Sequence, residues 1–242
     1  MLSKTIVRAS VLAALLATSC SATLPWTRSP EGSANEINIA FTLKNNLVFL
    51  QSVRINGRTG RFLFGSSTPR TIVDRRLVDE LGGNRRTFNL TVNDRETFPF
   101  TPLFLDLGGT ADALISWSAF QPNAITIDYR SGLLTLQKEG IHASLMSVYR
   151  FAGAPSVDVD VNGTRLSAVI DTSLPDTLVI PGTASGRGKA HIVVAGNDFG
   201  EVDVRIGGVE QARIGNRLLS KFLISIDYHA GQVGLWRDPR IR

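Results

Sequence analysis

The clearest candidate for chemistry in this chain is a carboxylate followed by two hydroxyl residues, Asp171, Thr172 and Ser173. An apolar run over residues 166–170 leads into this triplet, and a second apolar run follows at residues 177–180. A carboxylate that ends an apolar strand can hold a water molecule and accept a proton from it, as a general base does in hydrolysis. The same Asp beside two hydroxyl residues can also cap a turn and have no catalytic role. The triplet alone allows both interpretations.

A stretch located 106 residues earlier is a degraded copy of this one. In it, Gly65-Ser66-Ser67 stands where the later copy has Asp171-Thr172-Ser173. The other matches at the same offset are Asn56-Gly57 with Asn162-Gly163, Pro69 with Pro175, Thr71 with Thr177 and Val73 with Val179. The earlier copy therefore keeps the pattern but lacks the acid.

The ends of the two copies also match, now at an offset of 99. Ile127-Asp128-Tyr129 followed by Gly132 corresponds to Ile226-Asp227-Tyr228 followed by Gly231. Matches at both ends, with about seven fewer residues between them in the second copy, indicate an internal duplication. We place the copies at residues 36–140 and 148–237, with the boundary near residues 138–150.

Short apolar segments separated by turn residues predict a mostly β protein from residue 36 onward. The predicted strands are residues 48–55, 61–64, 71–73, 87–92, 103–107, 125–129, 133–136, 156–161, 166–170 and 177–180. Asn56-Gly57 predicts a tight hairpin, since both residues tolerate positive φ. Residues 74–81 predict a short helix that stops at Gly82-Gly83, and residues 116–120 predict a helical turn closed by Pro122.

Together these motifs resemble the retropepsin-like aspartic peptidases. Lobes of that family carry a hairpin, an apolar strand ending in Asp-Thr/Ser-Gly, a later apolar-apolar-Gly segment and often Ile-Asp-Tyr-x-x-Gly. The corresponding later segments here are Ala212-Arg213-Ile214-Gly215 in the second copy and Ala113-Leu114-Ile115-Ser116 in the first. The resemblance covers nearly all of residues 46–237. It implies a mostly β fold of two homologous lobes with closed-barrel, acid-protease architecture and no cofactor.

The departures from the family pattern concern its catalytic residues. Aspartic peptidases need two adjacent carboxyls that share one proton, one from each lobe. Asp171 would supply one, on a loop with Thr172 and Ser173, whereas Gly65 supplies none, and Ser116 replaces a glycine that packs against the triplet. The resemblance thus implies a catalytically impaired peptidase that binds an extended peptide between its lobes by strand addition.

Other acids do not fill the gap at Gly65. Asp74 and Asp176 lie outside the triplets, and Asp128 and Asp227 belong to the closing strand motif, where we expect structural roles. Two further hypotheses remain. Two chains could pair through their second lobes and bring two copies of Asp171 together as an active endopeptidase, or the protein could be a non-enzymatic, partner-binding envelope protein.

The composition excludes several other classes. The formal charge of +5 is scattered rather than gathered in a basic stripe with aromatic residues, which argues against nucleic-acid binding. His142, His191 and His229 share no metal-like spacing, so no metal site is expected. The serines Ser66 and Ser67 have no His–acid pair placed for nucleophilic catalysis, and residues 182–188 favour a flexible loop over the cleft rather than a phosphate loop.

The N-terminus predicts export. Lys4 and Arg8 precede an apolar run at residues 9–17 that is too short for a permanent membrane span, and Cys20 follows at the end of a sequence like a lipoprotein cleavage box. We predict a signal over residues 1–20, lipidation of Cys20, and a tether over residues 21–35 to a cell-envelope membrane. An ordinary signal peptide with an incidental cysteine, and hence a soluble periplasmic protein, is the alternative.

Overall fold

The computed structural model describes residues 36–82, 85–141, 144 and 146–239, and these residues are mostly β, as predicted. The strands of the first half (residues 36–141) are β1 (Glu36–Lys44), β2 (Leu47–Leu50), β3 (Val53–Ile55), β4 (Arg58–Thr59), β5 (Phe62–Gly65), β6 (Ile72–Asp74), β7 (Phe88–Val92), β8 (Glu96–Phe100), β9 (Leu103–Leu105), β10 (Ala113–Ser116), β11 (Ala124–Asp128) and β12 (Leu133–Gln137). Two 3₁₀ turns accompany them, at Arg75–Leu77 and Trp117–Phe120.

The second half (residues 146–239) continues in the same style. Its elements are β13 (Ser147–Arg150), β14 (Ser156–Val161), β15 (Thr164–Ile170), β16 (Leu178–Ile180), β17 (Gly186–Val194), β18 (Asn197–Ile206), β19 (Ala212–Ile214), the one-turn helix α1 (Asn216–Leu219), β20 (Leu223–Asp227) and β21 (Gln232–Trp236). Alternation decides the orientation of β14, along which Val157, Val159 and Val161 are buried while the residues between them are partly exposed.

Most predicted elements are confirmed, and two need correction. The strand predicted over residues 48–55 is broken into β2 and β3 because Ser52 adopts a φ of 54° between them. The helix predicted over residues 74–81 is wrong beyond its first turn. Asp74 caps the 3₁₀ turn Arg75–Leu77, and the chain then continues as further turns. A helix this short gains little from its own hydrogen bonds, even though Leu77 and Leu81 are buried in the core.

The pairing of the strands repeats between the halves. In the first half β10 runs parallel to β5 and antiparallel to β6, and in the second half β19 runs parallel to β15 and antiparallel to β16. The hairpin turns repeat as well, since Asn56 and Asn162 have φ of 48° and 51° and a glycine with positive φ follows each. The predicted Asn-Gly turns are thus confirmed.

One sheet joins the two halves. Strands β14, β15, β19, β16, β18 and β17 close into a barrel, while β3, β4, β7 and β8 form a four-stranded sheet in the first half. The remaining strands form an eleven-stranded sheet in which β11 pairs with β20 across the boundary between the halves. Thr126 lies opposite Ser225 in this pairing, and their hydroxyls are 2.9 Å apart. These residues are 99 apart in sequence, so equivalent residues of the two copies meet there.

Candidate functional site

The two triplets meet at the junction of the halves through a reciprocal set of hydrogen bonds. The Ser66 N–H donates to Thr172 Oγ1 (2.9 Å), and the Thr172 N–H donates to Ser66 Oγ (3.1 Å). Each hydroxyl then donates to a carbonyl of the other half, Ser66 to Ile170 O (2.7 Å) and Thr172 to Phe64 O (2.8 Å). Both side chains are fully buried. The residues that precede them, Gly65 and Asp171, are therefore held at the same junction.

This arrangement explains the hydroxyl residues of the triplets. The Ser66 hydroxyl donates one hydrogen bond and accepts another inside the protein, so it is committed to holding the junction and is not free to act as a nucleophile. Ser67, by contrast, is half-buried at the edge of the loop. Ser173 stabilises the adjacent carboxylate, because its N–H (3.0 Å) and its hydroxyl (2.6 Å) both donate hydrogen bonds to Asp171 Oδ1.

Asp171 is buried and forms an ion pair with Arg213. Its Oδ2 atom lies 2.8 Å from Arg213 Nη1, and its side chain is 5% exposed against 41% for that of Arg213. The guanidinium compensates the carboxylate charge and donates a hydrogen bond to Oδ2, the oxygen that Ser173 does not contact. This partner of Asp171 was not predicted from the sequence. A single cation in the otherwise apolar strand β19 was the available signal, and the parallel pairing of β19 with β15 brings it beside the triplet.

A side chain at Gly65 would crowd two side chains of the first half. A Cβ placed there would lie 2.8 Å from Thr68 Oγ1 and 3.0 Å from Leu114 Cδ1. Leu114 is the counterpart of Arg213 at the offset of 99. The first half therefore pairs a glycine with a leucine at the positions where the second half pairs an aspartate with an arginine.

The segments that support the two triplets also differ. A Cβ on Gly215 would lie 2.3 Å from the Asp176 carbonyl oxygen and 2.6 Å from that of Leu174, so only glycine fits there. Ser116, its counterpart, has room for a side chain. The Ser116 hydroxyl donates to the Thr68 carbonyl (2.5 Å), which ties down the loop that follows Gly65.

Two tyrosines reach across the junction in opposite directions. Tyr129 of the first half donates its hydroxyl to Asn216 Oδ1 (2.6 Å), and Tyr228 of the second half donates to the Ser66 carbonyl (2.7 Å). Burial raises the pKa of both phenols well above the ordinary value, and for Tyr129 the negative charge of Asp171 adds to the effect. Both phenols are neutral hydrogen-bond donors as a result. Tyr228 also stacks on Trp117, with ring centroids 4.0 Å apart.

The other acids have structural partners, which for Asp128 and Asp227 agrees with the roles expected from the sequence. Asp74 is buried and accepts hydrogen bonds from Arg76 Nε (2.8 Å) and the Leu107 N–H (3.1 Å), and these bonds, above all that from Arg76, hold the pKa of Asp74 well below its usual range. Asp176 pairs with Arg205 (3.1 Å). Asp128 and Asp227 each cap a turn by accepting two backbone N–H groups with Oδ1. None of these carboxylates replaces the acid missing at Gly65.

A separate groove of about 750 Å³ lies on the first half. Its charged lining residues are Lys44, Arg54, Arg61 and Asp94, and Arg54 pairs with Asp94 (3.1 Å). Neither Gly65 nor Asp171 lines this groove.

One further sequence-based expectation needs correction, and others lie outside the described residues. The loop expected over residues 182–188 is wrong for its last part, because Gly186–Gly188 belong to β17 and pair with β18 in the barrel. Within the described ranges no group of His, Cys, Asp and Glu side chains could hold a metal ion, and no helix there is long and apolar enough to cross a membrane. Cys20, the predicted signal and tether over residues 1–35, and His142 lie outside the described residues.

No protein-family model matches this chain, and no curated protein matches it significantly.

Proposed function

We propose that this protein is a two-lobed, retropepsin-like pseudo-peptidase, which binds an extended peptide at the junction of its halves without hydrolysing it. The observation that carries the proposal is the asymmetry of the junction. The second half contributes a carboxylate, Asp171, whereas the first half contributes Gly65, packed against Leu114 and Thr68. The reciprocal hydrogen bonds of Ser66 and Thr172 support the two-lobed arrangement.

Peptide hydrolysis by this mechanism needs an ionised carboxylate to activate water and a protonated one to donate to the carbonyl oxygen. Among the residues that the structure describes, no second carboxyl is hydrogen-bonded to Asp171 to share a proton with it. Its two oxygens are engaged by Ser173 and Arg213, so a water molecule would have to compete with an ion pair for Oδ2. Loss of proton-transfer help alone costs roughly 10²–10⁴-fold in rate.

An active homodimer built on two copies of Asp171 is the less favoured alternative. Within one chain, the N–H and the hydroxyl of Thr172 already donate hydrogen bonds to Ser66 and Phe64 of the first half. Pairing through the second halves would break these bonds, and the covalently linked half has the higher effective concentration. An envelope protein that binds partners elsewhere on its surface is the third hypothesis, and it predicts no peptide binding at the junction.

A cleavage assay with a fluorogenic peptide library from acidic to neutral pH tests the proposal. We expect no turnover from the wild-type chain at any pH and at any protein concentration. Asp171→Asn is the informative variant, and Asp176→Asn is the matched control, since Asp176 is also paired with an arginine. Turnover that Asp171→Asn abolishes and Asp176→Asn leaves intact would contradict the pseudo-peptidase. If that turnover rises with the square of protein concentration, it would favour the homodimer.

A further inference from the structure

A row of three arginines crosses the second half and ends at Asp171. Arg187 on β17 lies opposite Arg205 on β18, and Val179 on β16 lies opposite both Arg205 and Arg213 on β19. Residues directly opposite on neighbouring strands project to the same face of a sheet. The interior of the barrel is filled by the alternate residues of these strands, such as Leu178, Val204 and Ile214. The arginine row (Arg187, Arg205, Arg213) therefore lies on the outer face of the barrel, with the buried Val179 between Arg205 and Arg213.

The corresponding row of the first half is apolar. Leu114 on β10 lies opposite both Leu63 on β5 and Ile72 on β6, and Ile72 lies opposite Leu103 on β9. Leu114, Ile72 and Leu103 are only partly buried. We call Leu63, Leu114, Ile72 and Leu103 the leucine row.

Both rows reach the junction at equivalent positions. Leu114 lies 3.0 Å from the place of a Cβ on Gly65, and Arg213 lies 2.8 Å from the carboxylate of Asp171. Because the Ser66–Thr172 hydrogen bonds hold Gly65 and Asp171 at one junction, a chain lying across it meets an apolar surface on one side. It meets guanidinium groups on the other.

The arginine row has guanidinium N–H groups that the ion pairs to Asp171 and Asp176 do not use. Arg213 gives one N–H to Asp171 and Arg205 gives one to Asp176, whereas a guanidinium carries five. Arg187 is exposed and has no hydrogen-bond or ion-pair partner among the residues that the structure describes. It also stands directly opposite Arg205, and like charges in that position destabilise a sheet. A carboxylate bound between Arg187 and Arg205 would relieve this repulsion.

We infer that the junction binds an extended peptide in one direction, with acidic side chains on the arginine row and an adjacent apolar side chain on the leucine row. The inference rests on the proposed peptide-binding function and adds the chemistry of the ligand. Arginine suits this task because its planar fork matches a carboxylate with two parallel hydrogen bonds. The leucine row contributes by removing apolar surface from water.

Fluorescence anisotropy with labelled synthetic octapeptides tests the inference. The probes are a peptide with two Glu next to two Leu, a peptide with Lys in place of Glu, and a peptide with neutral Gln there. We expect the Glu–Leu peptide to bind at least tenfold more tightly than the Lys–Leu peptide, the factor that about 1.4 kcal/mol represents. Equal affinity for all three peptides would overturn the acidic preference while leaving peptide binding intact. No binding by any of them would refute the proposed function itself.

Charge-reversing variants then locate the contact. Arg187→Glu should weaken the Glu–Leu peptide about tenfold or more and leave the Gln–Leu peptide nearly unchanged. The matched control is Arg150→Glu, since Arg150 is also an exposed strand arginine but lies on β13 at the edge of the large sheet. If both variants weaken binding equally, the effect is one of overall charge and the arginine row is not the site. Leu114→Ser should weaken the binding of every peptide that carries the Leu pair. Unchanged affinity of this variant would exclude the leucine row from the site.

Discussion

The ion pair between Asp171 and Arg213 should make a measurable and non-additive contribution to stability. Removing one partner of a fully buried pair costs about 3–5 kcal/mol, because a buried charge is left uncompensated. Arg213 is 41% exposed, so solvent screens part of that interaction. Asp171 also keeps two hydrogen bonds from Ser173. We therefore expect Arg213→Leu to lower the free energy of unfolding by about 2 kcal/mol.

Replacing the other partner, Asp171, should lower the free energy of unfolding by a smaller amount. Asp171→Asn keeps the oxygen that Ser173 contacts and leaves Arg213 free to turn towards solvent, so we expect a loss of about 1 kcal/mol. With Arg213→Leu already present, Asp171→Asn no longer breaks an ion pair and instead removes an unpaired buried charge. The double variant should thus be at least about 1 kcal/mol more stable than the sum of the single losses predicts.

Urea denaturation followed by tryptophan fluorescence measures all four proteins of this cycle. The control cycle uses Arg54→Leu and Asp94→Asn, because that pair has a similar distance of 3.1 Å but side chains 45% and 67% exposed. The control coupling should be below about 0.5 kcal/mol. If the Asp171–Arg213 coupling is no larger than that of the control, the guanidinium does not compensate the carboxylate and the electrostatic part of our argument fails.

Three further predictions concern Ser66 and Gly215 at the junction and Asp74 outside it. Ser66→Ala leaves the Thr172 N–H and the Ile170 carbonyl without their partner, so we expect the free energy of unfolding, measured by urea denaturation, to fall by about 2 kcal/mol. The neighbouring Ser67→Ala is the control and should lower it by less than about 0.5 kcal/mol. Gly215→Ala should lower the free energy of unfolding by about 3 kcal/mol, because its Cβ would meet backbone oxygen atoms. Gly188→Ala is the control, since the nearest contact of a Cβ there is at 3.8 Å. Equal losses for the two variants would refute the packing argument. The carboxyl of Asp74 has a lowered pKa in the folded chain, so its stabilising effect is present above the unfolded value near pH 4 and is lost as pH falls below it. Asp74→Asn should accordingly flatten the acid side of a stability–pH curve, and an unchanged slope would contradict that assignment.

Local sequence was enough to predict many of the strands, the Asn-Gly turns and the triplets at the ends of β5 and β15, but not β1, β8, β17 or β18. Each of these depends on residues close together in the chain, such as the alternation of β14 or the positive φ at Asn56. The repeat at offsets of 106 and 99 added a long-range expectation that the hydrogen bonds between Ser66 and Thr172 agree with.

The contacts of the site could not be predicted in the same way. Arg213 is 42 residues from Asp171, and only the register of β19 against β15 brings the two together. The loss of space at Gly65 depends on Leu114 and Thr68, which reach it from another strand and from the next turn. The pairing of Arg187 with Arg205 likewise required the register of β17 and β18.

The pairing of β11 with β20 has a consequence for motion. Main-chain hydrogen bonds run directly from one half to the other there, so the halves cannot swing apart as rigid bodies without breaking a sheet. Under the proposed function, a peptide would therefore have to enter by displacement of side chains or loops at the rim. We expect the same bonds to keep the two halves associated after a single cut between β12 and β13.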